Sequence, residues 1–432
     1  MTDERGRGWD LLLVCLSVFM LTSVARVHQL FPALSLIKPV TLAGMLAIAL
    51  CLLDRVPARR LKPLDLRATR WMIALAIWMA LSVPGALWPG GAFATALDFV
   101  KTVLISLVII TAVRSVQDVE RLTLIYFVGA VIFAAVVLSR MQFQLAAEGR
   151  LERLYFYDSN DFATYTITAM PLGLYFASSE RRLWVRWAAW GGIALLAAGF
   201  IWSGSRGGFL AFMAVIAYFL LRYTSVKRSW RWSAVAVIGI LFIATAGDAY
   251  WTRINTVLHP TRDYNLTSDQ GRLQLWYRGV GYMLDHPVLG VGAGNFPRAE
   301  GTISPLIELT PRGRSVKWGP PHNSYVQVGA ELGIVGLLIF AAFLISVFRA
   351  LRRLPTGTGP PVRLAQSLTA SLIGFVVGAL FLTLAYHDML YMLTALALGL
   401  RQVTVNAAAI RPVEPPHVSV ASTQMSALSA PV

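Results

Sequence analysis

Long apolar runs broken by short polar punctuation dominate the chain from residue 11 to residue 405. Runs near twenty residues are too long for strands and match the thickness of a bilayer crossed as helix. The ten-residue alternation of a transmembrane barrel does not occur. Twelve spans are expected, at roughly 11–25, 33–53, 71–88, 96–113, 121–139, 162–178, 187–203, 207–221, 232–247, 322–348, 364–385 and 388–405. The pattern therefore predicts an all-α polytopic membrane protein of about twelve transmembrane helices. Residues 1–247 carry helices 1–9, and 248–321 form a large loop between helices 9 and 10. Residues 322–410 carry helices 10–12, and 411–432, rich in Pro, Ala, Ser and Val, form a disordered tail. The first run has the length of a signal peptide. No small-residue cleavage site follows it and further spans do, so it reads as a retained helix.

Composition agrees with this pattern: 56% of residues are hydrophobic and 14% are charged, against roughly 25% charged in soluble domains. The net charge of +16 would suit nucleic acid if it formed a patch. The twelve-span layout instead puts 23 of the 38 basic residues on one side, including Arg55, Arg59, Arg60, Lys62, Arg67 and Arg70. That is the bias of cytoplasmic loops, so no nucleic-acid partner is expected. Both termini then face the cytoplasm and the 248–321 loop faces outward. Cys15 and Cys51 lie in the first two spans and read as small packing residues rather than as a disulfide framework.

Two outward loops are long. One covers about 140–161; the other is 248–321, where Trp, Tyr, Leu and Phe recur as in an ordered cap. Within it, Leu273, Trp276, Tyr277, Val280 and Leu284 fall on one helical face. An amphipathic helix is expected there, capped by Ser268 or Asp269 and resting on the membrane or on the bundle. Arg272 lies in its first turn. A helix N-terminus with an arginine suits an anion; a solvated arginine on an exposed face is the alternative.

Candidate chemistry gathers on the same outward side. "WSGSRGG" joins two spans with almost no loop, which puts Arg206 at the membrane surface. It either serves function or snorkels to headgroups, and the flanking Gly204, Gly207 and Gly208 permit close approach by a backbone or a ligand. His322 follows Pro320 and Pro321 at the start of a span. A neutral imidazole there can take a proton from a hydroxyl, or simply hold a structural hydrogen bond. Two arginines and a base suit a substrate with an anionic leaving group and a hydroxyl nucleophile. Glu331 lies nine residues beyond His322, roughly 13 Å deeper along a helix and on the opposite face. It reads as a buried carboxyl bonded to a neighbouring helix, beside a Gly329/Gly333 pair that permits close helix packing. "DHPVLGVGAGNF" lacks the strand context of a dinucleotide site and reads as a turn-rich loop. Outward acids include Asp158, Asp161 and Asp388 beside His387; no Asp-x-Asp signature occurs, and no metal is expected.

"GSRGG", "GRLQLWYRGVGYMLDHPVLGVGAGNF", "PHNSYVQVGAELGIVG" and "YDSNDFA" together resemble the bacterial O-antigen ligase and polymerase superfamily, over roughly 155–350. The resemblance implies a GT-C-like, metal-independent and inverting glycosyltransferase without cofactor, at the periplasmic face of the bacterial inner membrane. It implies an undecaprenyl diphosphate-linked glycan as donor, a sugar hydroxyl of lipid A–core as acceptor, and membrane lipids around it. In that reading Arg206 and Arg272 hold the diphosphate and His322 activates or positions the hydroxyl. Arg150, Arg153, Arg278, Asn323 and Tyr325 are further substrate-binding candidates, as neighbours of the matched residues or of the site. The short tail points to a ligase or a polymerase rather than a protein-glycosylating member, and the single large loop points to a ligase of lipopolysaccharide biosynthesis. An O-antigen polymerase extending lipid-linked glycan is the alternative, and a lipid-linked glycan transporter ranks below it.

Overall fold

Helices occupy every one of the twelve expected stretches in the computed structural model. The structure describes residues 8–26, 31–56, 66–140, 158–179, 182–224, 226–245, 271–309, 317–354 and 359–410, with a few isolated positions between them. In chain order the described helices longer than four residues are α1 Leu11–Val24, α2 Pro39–Leu53, α3 Arg67–Ser82, α4 Pro89–Ala112, α5 Val116–Arg140, α6 Ser159–Ser179, α7 Leu183–Ser203, α8 Arg206–Arg222 and α9 Arg228–Thr245. The large loop carries α10 Arg272–Asp285 and α11 Phe296–Thr302; α12 Ser324–Arg352, α13 Pro360–Gly378 and α14 Asp388–Ile410 complete the bundle. Among the described residues there is no strand. Five helices there are long and apolar enough to cross a membrane, namely α4, α5, α7, α12 and α13 with its short extension to Phe381. This is a multi-pass membrane protein.

Local chemistry sets several boundaries. The third span ends at Ser82 rather than near 88, before Pro84 and Gly85, and α4 then starts on Pro89 at its first position, earlier than the apolar run suggested. The second starts at Pro39 for the same reason. The buried centre is formed by α6 and α14. Nearly every residue of α6 from Phe162 to Ala177 is buried, as is Met389 to Leu400 of α14. Helices apolar on all sides belong inside a bundle. The threonines Thr166 and Thr168 of α6 return their hydroxyls to carbonyls one turn back, so they add no unsatisfied donor there.

One expectation about α12 is overturned. It is not an unbroken rod, because Gly333 has φ 70° and ψ −174° in its interior. The segment 287–292 docks into this break. Val291 and Gly292 donate their N–H groups to the carbonyls of Ala330 and Glu331, at 2.9 and 3.0 Å, and Ile334 donates to Pro287 at 2.8 Å. Backbone groups freed by the break are thereby satisfied by protein, the condition for irregular backbone within a membrane bundle. A Cβ on Gly333 would stand 2.5 Å from the carbonyl oxygens of Pro287 and Val288. The Gly329/Gly333 pair therefore makes room for the loop and for Met283 of α10, not for another spanning helix.

Glu331 is buried and hydrogen-bonded, as expected, but its partners differ. Its carboxylate accepts from the N–H of Phe296 at 3.3 Å, at the start of α11, with Gln327 Nε2 at 3.5 Å. It anchors the "GVGAGNF" loop, which also reaches the α3–α4 connection through Leu87 N–H donating to Val291.

The amphipathic helix is α10, with a different face inward from the one its apolar residues mark. Leu275, Gly279 and Tyr282 are buried, against Val326 and Phe296 among others, while Tyr277, Val280 and Leu284 are exposed. The cap also differs: Gly271 stands at the N-cap with no side-chain bond, in place of Ser268 or Asp269.

Candidate functional site

Three helix N-termini meet at the connection between α13 and α14. Arg206 is the first residue of α8, with Ser205 as N-cap; the Ser205 hydroxyl accepts from Gly208 N–H and donates to Asn160 Oδ1 at 2.8 Å. Arg272 is the first residue of α10. Asn323 is the N-cap of α12, accepting from the N–H groups of Tyr325 and Val326. His322 immediately precedes it. Each helix start presents the positive end of a dipole, so convergence of three favours an anion.

The hub is the short segment Phe381–Thr383. A Cβ on Gly207 would come within 2.8 Å of the Phe381 side chain, so glycine is what lets α8 approach. Arg272 Nη1 lies 3.5 Å from the Phe381 carbonyl. The His322 N–H donates to Thr383 Oγ1 at 3.0 Å, and the Ser324 hydroxyl donates to Leu382 O at 2.7 Å. Phe381 and Thr383 are two residues apart, at most roughly 7 Å. The helix start bearing Arg206, the Arg272 guanidinium and the His322 backbone are thus gathered on one three-residue stretch.

His322 has φ 50°, a conformation that histidine adopts rarely and at a cost of about 1–3 kcal/mol. Pro321 supports it from the other side: its carbonyl accepts from Trp276 Nε1 at 2.9 Å. Burial is the first cause that lowers the His322 pKa, from 6.5 to about 4; the positive Arg272 and Lys317 add to this, and Asp158 opposes it. The imidazole is therefore neutral at neutral pH and can accept a hydrogen bond from a hydroxyl.

The other expected residues fare differently. Arg278 does not face this hub: its guanidinium makes a bidentate pair with buried Glu300, at 2.7–3.0 Å, and donates to Asp269 O at 2.9 Å. Tyr282 donates to the same carboxylate. Arg278 thus ties α10 to α11 within the loop region. The Tyr325 hydroxyl donates to Val376 O within the bundle, and Asn323 is occupied as a cap; neither side chain is offered to a ligand by these bonds. Arg150 and Arg153 lie outside the described residues.

Arg26 and Ser23, which sequence reasoning did not single out, join the outward acids Asp161 and Asp388 and their neighbour His387 at the same end. Arg26 Nη2 lies 2.7 Å from His387 Nε2, and His387 Nδ1 lies 2.8 Å from Asp388. Ser23 donates to Asp388 at 2.6 Å. Asp161 feels both Arg26 and Arg272, so α1 and α6 border the same charged region. The signal was available for Arg26: it closes a span on the sparsely charged side, as Arg206 does. What hid it was distance in sequence, since its partner lies 361 residues away.

Comparison with known proteins follows this geometry. Residues 191–341, which include Arg206, Arg272 and His322, match the family model described as O-antigen ligase. The chain is 25% identical over 340 residues to the exopolysaccharide production protein ExoQ of Rhizobium meliloti, covering 74% of this chain and 72% of that one. It is also 25% identical over 109 residues to a Rickettsia conorii protein provisionally named a polysaccharide ligase, covering 24% of this chain and 26% of that one. The resemblance to the O-antigen ligase-like superfamily is borne out by these matches.

Proposed function

We propose that the protein is an O-antigen ligase: a GT-C-like, inverting glycosyltransferase working at the periplasmic face of the inner membrane, with all twelve helices spanning and both termini cytoplasmic. It moves a glycan from undecaprenyl diphosphate to a sugar hydroxyl of lipid A–core. The observation that carries this reading is the gathering of the helix start bearing Arg206, the Arg272 guanidinium and the His322 backbone on Phe381–Thr383. Arg206 and Arg272, each at a helix N-terminus, hold the diphosphate and stabilise the charge it gains on departure. The acceptor hydroxyl hydrogen-bonds to neutral His322 and attacks the anomeric carbon from the face opposite the leaving group. The C–O bond to the diphosphate breaks and undecaprenyl diphosphate leaves as an anion, while His322 accepts the hydroxyl proton. A bound diphosphate offsets the charge of Arg272, one cause of the low His322 pKa, and so makes the imidazole a better base when the donor is present.

A second reading has its own support. The relative aligned along 74% of the chain is named for exopolysaccharide production, not for lipopolysaccharide. In that reading the acceptor is another lipid-linked glycan and the product a longer one. The test is reconstitution of the purified chain with lipid-linked glycan, with and without lipid A–core. Capped core supports the ligase. Longer lipid-linked chains without core support the polymerase. No transfer in either mixture, by protein shown to be folded, removes both.

A further inference from the structure

A second site lies at the far end of the bundle. A cavity of about 770 Å³ opens between α3, α12 and α14, and Arg67, Arg70, Arg349, Arg353 and Arg401 line it. Arg349 is 25 residues along α12 from its start at the candidate active site, up to roughly 35–40 Å at helical rise, of which the unbroken part from Ile334 to Arg349 contributes about 22 Å. The upper figure is comparable to a bilayer with its interfaces. The cavity is therefore separate from the His322 hub.

Arginines at one end of a membrane bundle are ordinary, and most of them point into water. Three features set these apart. They come from three different helices onto one concave space. None of the described residues lining it is acidic, whereas other arginines of this chain are met by carboxylates: Arg114 and Arg121 by Asp118, and Arg278 by Glu300. Apart from Ser346 the rest of the described wall is apolar, with Trp71, Ala74, Ala342 and Ile345. The start of α3 contributes too: Leu66 caps it without a side-chain bond, and Arg67 and Ala68 border the cavity. Arg401 is fixed in place, its Nη1 donating to Ala350 O at 3.2 Å.

A positive rim over an apolar wall, in a volume of ligand size, fits one chemistry. We infer that this cavity binds an anionic phospholipid of the surrounding leaflet, its phosphate among the arginines and the upper part of an acyl chain along Trp71 and Ile345. A zwitterionic headgroup is disfavoured, because its ammonium would enter the same positive field. The chain's own residues 411–432 are a poor occupant, since they carry one arginine and one glutamate and cannot neutralise five cations. A lipid held there ties α3, α12 and α14 together at the end remote from the active site.

The test uses the full chain in detergent with equimolar phosphatidylglycerol and phosphatidylcholine, and native mass spectrometry to count retained lipid. The expected result is preferential retention of phosphatidylglycerol, on the order of tenfold or more, lost in Arg70→Gln/Arg349→Gln at roughly one kcal/mol per arginine. Arg228→Gln, an exposed arginine of α9 outside the cavity, keeps the preference. Equal retention of both lipids by the wild type overturns the proposal, as does an unchanged preference in the double variant. Inorganic diphosphate is added in a further arm; if it displaces the phospholipid at equal concentration, the site reads a bare anion and the lipid assignment fails. Should the double variant not fold, the wild-type competition decides by itself.

Discussion

The N–H of Ile334 donates to the carbonyl of Pro287 at 2.8 Å, across the break that Gly333 puts into α12. With the bonds from Val291 and Gly292 to Ala330 and Glu331, it joins the large loop to the helix whose start carries His322. It makes the position of α10, and therefore of Arg272, depend on the backbone at Gly333. Gly333→Ala places a side chain at φ 70° and a Cβ 2.5 Å from two carbonyl oxygens. A loss of about 2–4 kcal/mol is expected, strain and clash together. The thermal midpoint of the purified protein should fall and transfer should fall with it; an unchanged midpoint would show that the break is not needed.

Arg278 and Glu300 give a second prediction. Arg278→Met leaves buried Glu300 without its cation and is expected to cost about 3–5 kcal/mol. Replacing both, as Arg278→Met/Glu300→Leu, removes the uncompensated charge and should recover much of that stability. If Arg278 bound substrate, the double variant would stay inactive however stable it became. Recovery of transfer in the double variant is the expected outcome, read from midpoint and rate together.

For the two hub arginines the expectation is different. Arg206→Gln and Arg272→Gln each remove a charged donor from the diphosphate, worth about 1.5–3 kcal/mol. Transfer efficiency should fall by roughly ten- to a hundredfold, with the thermal midpoint nearly unchanged. Titration with undecaprenyl diphosphate checks the cause. Wild-type affinity in either variant would take that arginine out of the donor site.

His322 has a pH signature. Its folded pKa of about 4 lies below the ordinary 6.5, so the neutral form is favoured by the fold. Between those values an unfolded chain binds a proton that the folded chain does not. Stability from this group is therefore present above pH 6.5 and is lost as pH falls toward 4. Activity of the free enzyme, read as kcat/KM, should accordingly show no histidine inflection near 6.5. At saturating donor, where diphosphate offsets Arg272, the inflection in kcat should move upward. His322→Asn tolerates the same backbone conformation and should fold, yet lose transfer by about a hundredfold or more, in line with removal of a general base. Full transfer by that variant would exclude the catalytic assignment.

The sequence by itself determined the helical membrane architecture, because burying a backbone in lipid permits few solutions and apolar length reports them directly. It also pointed to Arg206, Arg272 and His322, since charge is costly at the sparsely charged end of a membrane bundle. The partners of these residues were decided only by tertiary structure. Arg206 begins a helix that Gly207 packs on Phe381, and the His322 amide meets Thr383, contacts separated by 174 and 61 residues in the chain. Periodicity carries no record of such pairings. The same limit holds elsewhere. The Arg278–Glu300 pair has no local sign, since Glu300 lies 22 residues on, in the next helix. Glu331 and Gly333 looked like ordinary members of a straight helix. The loop that fills the break comes from more than thirty residues upstream, and only folding shows that the helix there exchanges its own hydrogen bonds for those of another segment.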